Sequence, residues 1–271
     1  MQKKILIVDG LNLIRRIYAA LESEKDTIRR IERAQSTSID TLARLIKQFT
    51  PSHAIVVFDS SGKTWRHEVF PEYKLGRVPM DDALLEALPS FAKLFRFNGI
   101  VSLRLTGWEA DDLIATLAVK AASQDVKSYI VSTDKGFSQL LSHPCILQYD
   151  CFNKIGYDKE WAEEKYGVPC EQLSDYWALV GDTTNRIPGV MGIGPKTALI
   201  IMKKAGTIEA IYQDLSIFTE KQQRMLDGAY DQCLLSRKLV ALKCDVEVGV
   251  RLSQLVYPFK VPENNPKEIH S

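Results

Sequence analysis

Short, unbroken runs of branched apolar residues alternate along the first half of the chain with longer segments whose apolar positions recur every three or four residues. The runs Lys4-Ile-Leu-Ile-Val8, His53-Ala-Ile-Val-Val-Phe58, Val101-Ser-Leu-Arg-Leu105, Lys127-Ser-Tyr-Ile-Val-Ser132 and Cys145-Ile-Leu-Gln-Tyr149 predict five strands. Runs apolar on both faces suit a parallel sheet covered by helices. Helical spacing covers residues 12–22, residues 36–49 (Ile39, Leu42, Ala43, Ile46, Phe49), Asp81 to Phe97 (Leu84, Leu85, Leu88, Phe91, Leu94, Phe95), and Glu109 to about Ala122. Between the first two helices, Lys25, Arg29, Arg30 and Arg33 mix with acids as in a solvated face. After Tyr149 the alternation fades and helices are expected to about Ala241. The fold class predicted is α/β, with a mainly parallel central sheet and flanking helices, followed by a C-terminal helical domain. The boundaries drawn are 1–157, 158–257 and a frayed tail at 258–271, where Pro258, Pro262, Asn264, Asn265 and Pro266 cluster.

Composition narrows the class without naming a partner. Of the 271 residues 45% are hydrophobic, enough for a buried core, and a net charge of +1 excludes a uniformly basic nucleic-acid binder while allowing local segregation. Cys145, Cys151, Cys170, Cys233 and Cys244 have no C-x-x-C spacing, which argues against a disulfide framework or a structural zinc. With no long apolar run and no signal peptide, a cytoplasmic location is expected.

Chemistry collects where the strands end. Asp9 follows the first strand, Asp59 the second, Glu109-Ala-Asp111-Asp112 the third, and Asp134 the fourth. In open α/β sheets that edge binds ligands. Acids this crowded repel unless a cation or protons lie between them, and hard oxygen donors favour Mg2+, with Mn2+ as a substitute. Singly, Asp9 could instead cap a helix and the Glu109 cluster could answer a helix dipole. Their recurrence at one edge favours the metal.

Residues 60–79 turn polar and irregular, interleaving Lys63, Trp65, Arg66, His67, Tyr73, Lys74 and Arg77, a pattern that suits either an exposed loop or a tract following a phosphate backbone. Farther on, Gly181-Asp-Thr-Thr-Asn-Arg-Ile-Pro-Gly-Val-Met-Gly-Ile-Gly-Pro-Lys-Thr-Ala198 combines a glycine-rich turn with Pro195 opening a helix. Backbone N–H groups around Gly192, Gly194 and Lys196 could receive a phosphate there, as in a helix-hairpin-helix. A dinucleotide-binding reading fails because no strand precedes the glycines.

Val8-Asp-Gly, Phe58-Asp59, Arg66 to Arg77 with Pro71-Glu-Tyr-Lys74, Glu109-Ala-Asp-Asp, Ser132-Thr-Asp-Lys135 and Gly181-Asp through Lys196-Thr-Ala together resemble the 5'-nuclease or flap endonuclease family, in its stand-alone bacterial form without a polymerase. The resemblance runs from Lys4 to about Leu242. It implies a PIN-like nuclease fold with a helical arch at about 60–97, a hairpin clamp at 179–198, and a monomer acting in DNA replication and repair. Asp9, Asp59, Glu109, Asp111 and Asp112 would hold a first Mg2+, with Asp134 and Asp182 at a second. Lys74, Arg16 and Arg77 would serve catalysis, Lys74 at the charge developing on the phosphate. Tyr73, Gly192, Ile193, Gly194, Pro195, Lys196 and Thr197 would meet DNA, and the carbonyls of Leu179, Val180, Pro188, Val190 and Ile193 would hold K+. The activity implied is Mg2+-dependent hydrolysis of branched DNA with a 5' single-stranded flap. The chain departs from the family pattern at Gly136 and Asn185, each replacing a second-site carboxylate. A junction-binding protein with weak or no cleavage is the alternative this raises; a metal-dependent ribonuclease on a similar sheet is another, which the hairpin and the Tyr73-Lys74 segment disfavour.

Overall fold

The computed structural model describes residues 2–258; the tail expected at 258–271 lies, apart from Pro258, outside the described residues. Strands β1 (Lys4–Asp9), β2 (His53–Val57), β3 (Val101–Leu103), β4 (Lys127–Val131) and β5 (Ile146–Asp150) pair in parallel, and β6 (Ile155–Tyr157) closes one edge antiparallel to β5. The spatial order is β3-β2-β1-β4-β5-β6, so the winding reverses between β1 and β4. A crevice opens at such a reversal, beyond the carboxyl ends of the strands.

Alternate residues of β1 feed two cores. Ile5 and Ile7 pack with helix α5 (Ala110–Ala122), while Leu6 and Val8 pack with α1 (Gly10–Ala20), α2 (Thr27–Phe49) and α4 (Asp82–Phe97). The α5 core runs on without a break into the helical half, formed by α6 (Lys159–Tyr166), α7 (Leu173–Val180), α8 (Pro195–Ala205), α9 (Ile208–Gln213), α10 (Glu220–Leu226) and α11 (Tyr230–Val240). Beyond α11 an extended strap returns along α5: Thr116 Oγ1 donates to Lys243 O at 3.1 Å and accepts the Val246 N–H at 3.2 Å.

Several elements differ from their sequence readings for identifiable reasons. The charged stretch near residue 30 is solvated but helical, because Asp26 caps α2 by accepting the N–H groups of Ile28 and Arg29, and the buried stripe continues through Ala34, Ser38 and Thr41. Small and hydroxylated residues hide that stripe from a hydrophobicity pattern. Strand β6, exposed at two of its three positions, carries no such pattern either. The arch expected at 60–97 cannot include α4, which buries Leu84, Leu88, Phe91 and Phe95 and belongs to the core. The remainder, residues 60–81, contains the short helix α3 (Trp65–Val69) and is mostly exposed or half-buried, with Thr64, Arg66 and Tyr73 turned inward.

Candidate active site

The strand ends bring Asp9, Asp59, Asp111 and Asp134 into mutual electrostatic range at the winding reversal. Asp9 is buried; its Oδ1 accepts the Asn12 N–H at 3.0 Å and its Oδ2 the Ser132 hydroxyl at 2.9 Å. Burial, reinforced by the charges of Asp59 and Asp134, still pushes its carboxyl up to about 7. Asp59 reaches across from the end of β2 and accepts the first N–H of α5, from Ala110, at 2.8 Å. Burial raises its carboxyl too, against the pull of Lys74 and Arg77. Asp111 is raised well above the ordinary carboxylate range by burial and then by the charges of Asp134, Asp9 and Asp59. Asp134 is exposed and caps a 3-10 turn, accepting the Gly136 N–H at 2.6 Å.

Glu109 and Asp112 have the opposite surroundings. The Arg66 guanidinium, 2% exposed, gives Nη1 to Glu109 at 2.7 Å and grips Asp112 through Nη1 and Nη2 at 2.7 and 2.9 Å. Its remaining hydrogens meet the carbonyls of Leu239 and Ala241, so one buried cation ties α3, α5 and the end of α11 together. Asp112 also accepts the Trp65 indole N–H at 2.9 Å and the Lys243 N–H at 3.0 Å. Four donors fill a carboxylate. Asp112, fully buried, therefore stands as a structural anchor with no lone pair left for the metal expected of it. Glu109 receives Lys74 Nζ at 2.6 Å and the Tyr73 hydroxyl at 3.1 Å. Burial pushes Glu109 upward, yet Lys74 and Arg66 outweigh it and hold the carboxyl below its ordinary value.

Tyr73, expected to meet DNA, is 5% exposed and packs against Ile187 and Leu239 with its hydroxyl on Glu109. No ring face remains open for a base, because the acid cluster and the hairpin converge on it. Its neighbour Lys74 adopts φ +57° and donates its backbone N–H to Asn185 O at 3.0 Å. Lys74 thus joins the polar loop, Glu109 and the turn that carries Asp182. In that turn Asp182 exchanges two backbone hydrogen bonds with Ile187, and its carboxylate accepts from Thr184 N and from Asn185 Nδ2. Asn185 therefore faces Asp182 with its amide hydrogens, and Gly136 contributes no side chain at all. Arg16 is exposed near Asp134, donating to Thr133 Oγ1 at 3.2 Å. Arg77 is exposed and close enough to act on Asp59.

The hairpin depends on two glycines. A Cβ at Gly189 would lie 2.4 Å from the Val180 carbonyl, and one at Gly181 2.5 Å from Gly189 N, so the chain can cross itself only there. Of the carbonyls expected to hold K+, Leu179 O accepts from Val190 N, Val190 O from Ile193 N, and Pro188 O from Ser236 Oγ. Each retains a second lone pair; Val180 O lies against Gly189. Gly192 (φ +82°), Gly194, Pro195 and Lys196 lie exposed at the start of α8, Thr197 is half-buried, and Ile193 is buried beneath them.

The donor chemistry fits a hard divalent cation. Asp9, Asp59, Asp111 and Asp134 supply oxygen ligands only and repel one another, and two of the cations nearby form their ion pairs elsewhere: Arg66 with Glu109 and Asp112, Lys74 with Glu109. Among the described residues no three His, Cys, Asp or Glu side chains stand as a set that could hold a metal ion without moving.

Comparison with known proteins decides the family. A model of the 5'-3' exonuclease N-terminal, resolvase-like domain matches residues 4–167, and one of the 5'-3' exonuclease C-terminal SAM fold matches residues 168–263. The chain belongs to the 5'-3' exonuclease family. It is 41% identical over 265 residues to Flap endonuclease Xni of Pectobacterium carotovorum subsp. carotovorum, covering 97% of this chain and 98% of that protein. Zinc-bound 5'-exonuclease of bacteriophage T5 superposes with a TM-score of 0.77 at 24% identity, over 89% of this chain and 90% of that one. The flap endonuclease of the same phage, in a complex with DNA and metal ions, gives 0.73 at 25% identity and the same coverage. Family membership makes the chain a nuclease and bears out both the expected fold class and the resemblance read from its motifs. Sequence reasoning had no means to find Arg66 as a clamp or Lys243 as a partner of Asp112. The first is one basic residue among several in a polar stretch, and the second acts through its backbone N–H.

Proposed function

We propose that the protein is a divalent-metal-dependent flap endonuclease that hydrolyses a DNA phosphodiester at the base of a 5' single-stranded flap. The observation that carries this reading is the partition of the acids. Two are neutralised by Arg66 and Lys74, while Asp9, Asp59, Asp111 and Asp134 remain mutually repelling around the sheet's winding reversal. The names of the relatives support the flap substrate, and the DNA and metal ions of the phage complex support the ligand classes.

In this reading Asp9, Asp59 and Asp111 hold a first Mg2+ or Mn2+, and Asp134 with Asp182 contributes to a second. Bound there, such ions supply charge for the phosphate oxygens and acidify a water molecule. The chain's own residues do the rest. The exposed start of α8 and the Gly192–Lys196 backbone receive a phosphate of the duplex, with K+ on the hairpin carbonyls assisting. These contacts carry no base sequence, so junction shape selects the substrate. Lys74, released from Glu109 when phosphate arrives, places its ammonium beside the charge that develops there. Arg16, beside Thr133, and Arg77, within reach of Asp59, orient the strand. Action as a cytoplasmic monomer in replication and repair fits this reading.

Cleavage of a 5'-flap DNA across a Mg2+ titration tests it, with binding followed in parallel in Ca2+. Metal-dependent cleavage that Asp111→Asn abolishes while binding persists is the expected result. Binding with no cleavage at any Mg2+ concentration would overturn it in favour of a junction-binding protein, the reading favoured by Gly136 and by Asn185 turning its amide hydrogens to Asp182.

A further inference from the structure

We propose that Gln148 is a positioning residue for the acid cluster: its amide fixes the Ser132–Asp134 turn and, through it, the spacing of the Asp9 and Asp134 carboxylates. Gln148 lies on β5 opposite Ile130 of β4 and is 1% exposed. β4 ends at Val131, and the amide reaches past that end. Nε2 donates to Ser132 O at 2.9 Å and to Asp134 O at 2.7 Å, one carbonyl on each side of Thr133. Asn12 holds Thr133 itself, accepting its N–H at 3.2 Å and donating Nδ2 to its hydroxyl at 2.9 Å. The turn is therefore gripped from two elements.

Ser132 converts that grip into carboxylate geometry. Its Oγ donates to Asp9 Oδ2 at 2.9 Å and accepts the Asp134 N–H at 3.1 Å. A rotation of the turn thus moves both carboxylates at once. Gln148 Oε1, by contrast, is buried with no hydrogen-bond partner among the described residues. An interior amide that leaves its acceptor unpaired is a poor packing choice, whereas its two donors account for it fully as a geometric constraint. Groups that orient metal ligands in this way typically change metal affinity about 10–100-fold when removed.

This inference rests on the metal-dependent reading above, and the experiment separates the two. Mn2+ binding to the metal-free native chain and to Gln148→Met is followed by electron paramagnetic resonance, beside thermal melting and flap cleavage across a Mg2+ series. Methionine keeps a similar volume and removes both donors. The expected result is a folded variant that binds Mn2+ about tenfold or more weakly and recovers its maximal cleavage rate at high Mg2+. A folded Gln148→Met that binds Mn2+ within about twofold of the native chain overturns the positioning role alone; a native chain that binds no Mn2+ overturns the functional reading with it. Should Gln148→Met fail to fold, Ser132→Ala, which breaks the same link one bond nearer Asp9, is read by the same criteria.

Discussion

Asp111 and Asp112 are chain neighbours with opposite jobs, and substitution should separate them. Asp111 is raised by burial and three like charges, so Asp111→Asn relieves repulsion; we expect cleavage to fall at least about 10³-fold while the metal-free protein melts no lower. Asp112 meets four donors, among them the buried Arg66. Asp112→Ala strips that guanidinium of its two-pronged partner, leaving Glu109 alone to balance it, and should cost about 3–5 kcal/mol, read as a lower denaturation midpoint. Equal melting temperatures for the two variants would contradict this division. Lys74 offers a third test. Lys74→Ala removes a charge placed for the phosphate, and we expect cleavage at saturating DNA to drop about 10²–10³-fold with little change in binding.

At the scale of elements, the hairpin makes the next demand. A methyl at Gly189 would sit 2.4 Å from the Val180 carbonyl, which is rigid backbone, so Gly189→Ala must push the turn away from α7. Flap binding in Ca2+ should weaken about tenfold or more, while the Mn2+ affinity of the sheet acids holds; loss of both would mean that hairpin and sheet do not act as separate elements. The hairpin was legible in the chain because glycine density and Pro195 each have a local backbone meaning. So were the five parallel strands, whose apolar runs need no partner to be recognised, and the acids Asp9, Asp59 and Asp134 that follow them. The first half of α2 was hidden because its buried stripe uses Ala34, Ser38 and Thr41. Tyr73 and Asp112 were misread for a different reason. Their neighbours in space, Ile187, Leu239 and Lys243, come from more than 100 residues away, and no local spacing announces a contact made by the returning end of the chain.

The whole molecule should report its acid cluster through pH. Asp9 rises from 3.8 to about 7 on folding, and Asp59 and Asp111 rise as well. A carboxyl raised in the native state holds its proton more tightly there, so its contribution to stability is complete below the unfolded value and is lost as pH climbs through the folded one. Glu109 runs the other way: it is held below its ordinary 4.5, so its contribution is present above that value and lost as pH falls through the lowered one. The metal-free chain should therefore be most stable in mild acid and lose stability as pH rises from about 4 through about 7. Divalent cations bind only the deprotonated carboxylates, so their affinity must rise over the same window. Added Mg2+ should then raise Tm much more at about pH 8 than at about pH 5.5, each kcal/mol of linkage appearing as about 2–4 °C. Calorimetric melting in a chelator and in saturating Mg2+ measures both curves. A Tm gain from Mg2+ that is the same at both pH values would mean that the ion does not bind at Asp9, Asp59 and Asp111, because no site built from those three carboxyls can escape their protons.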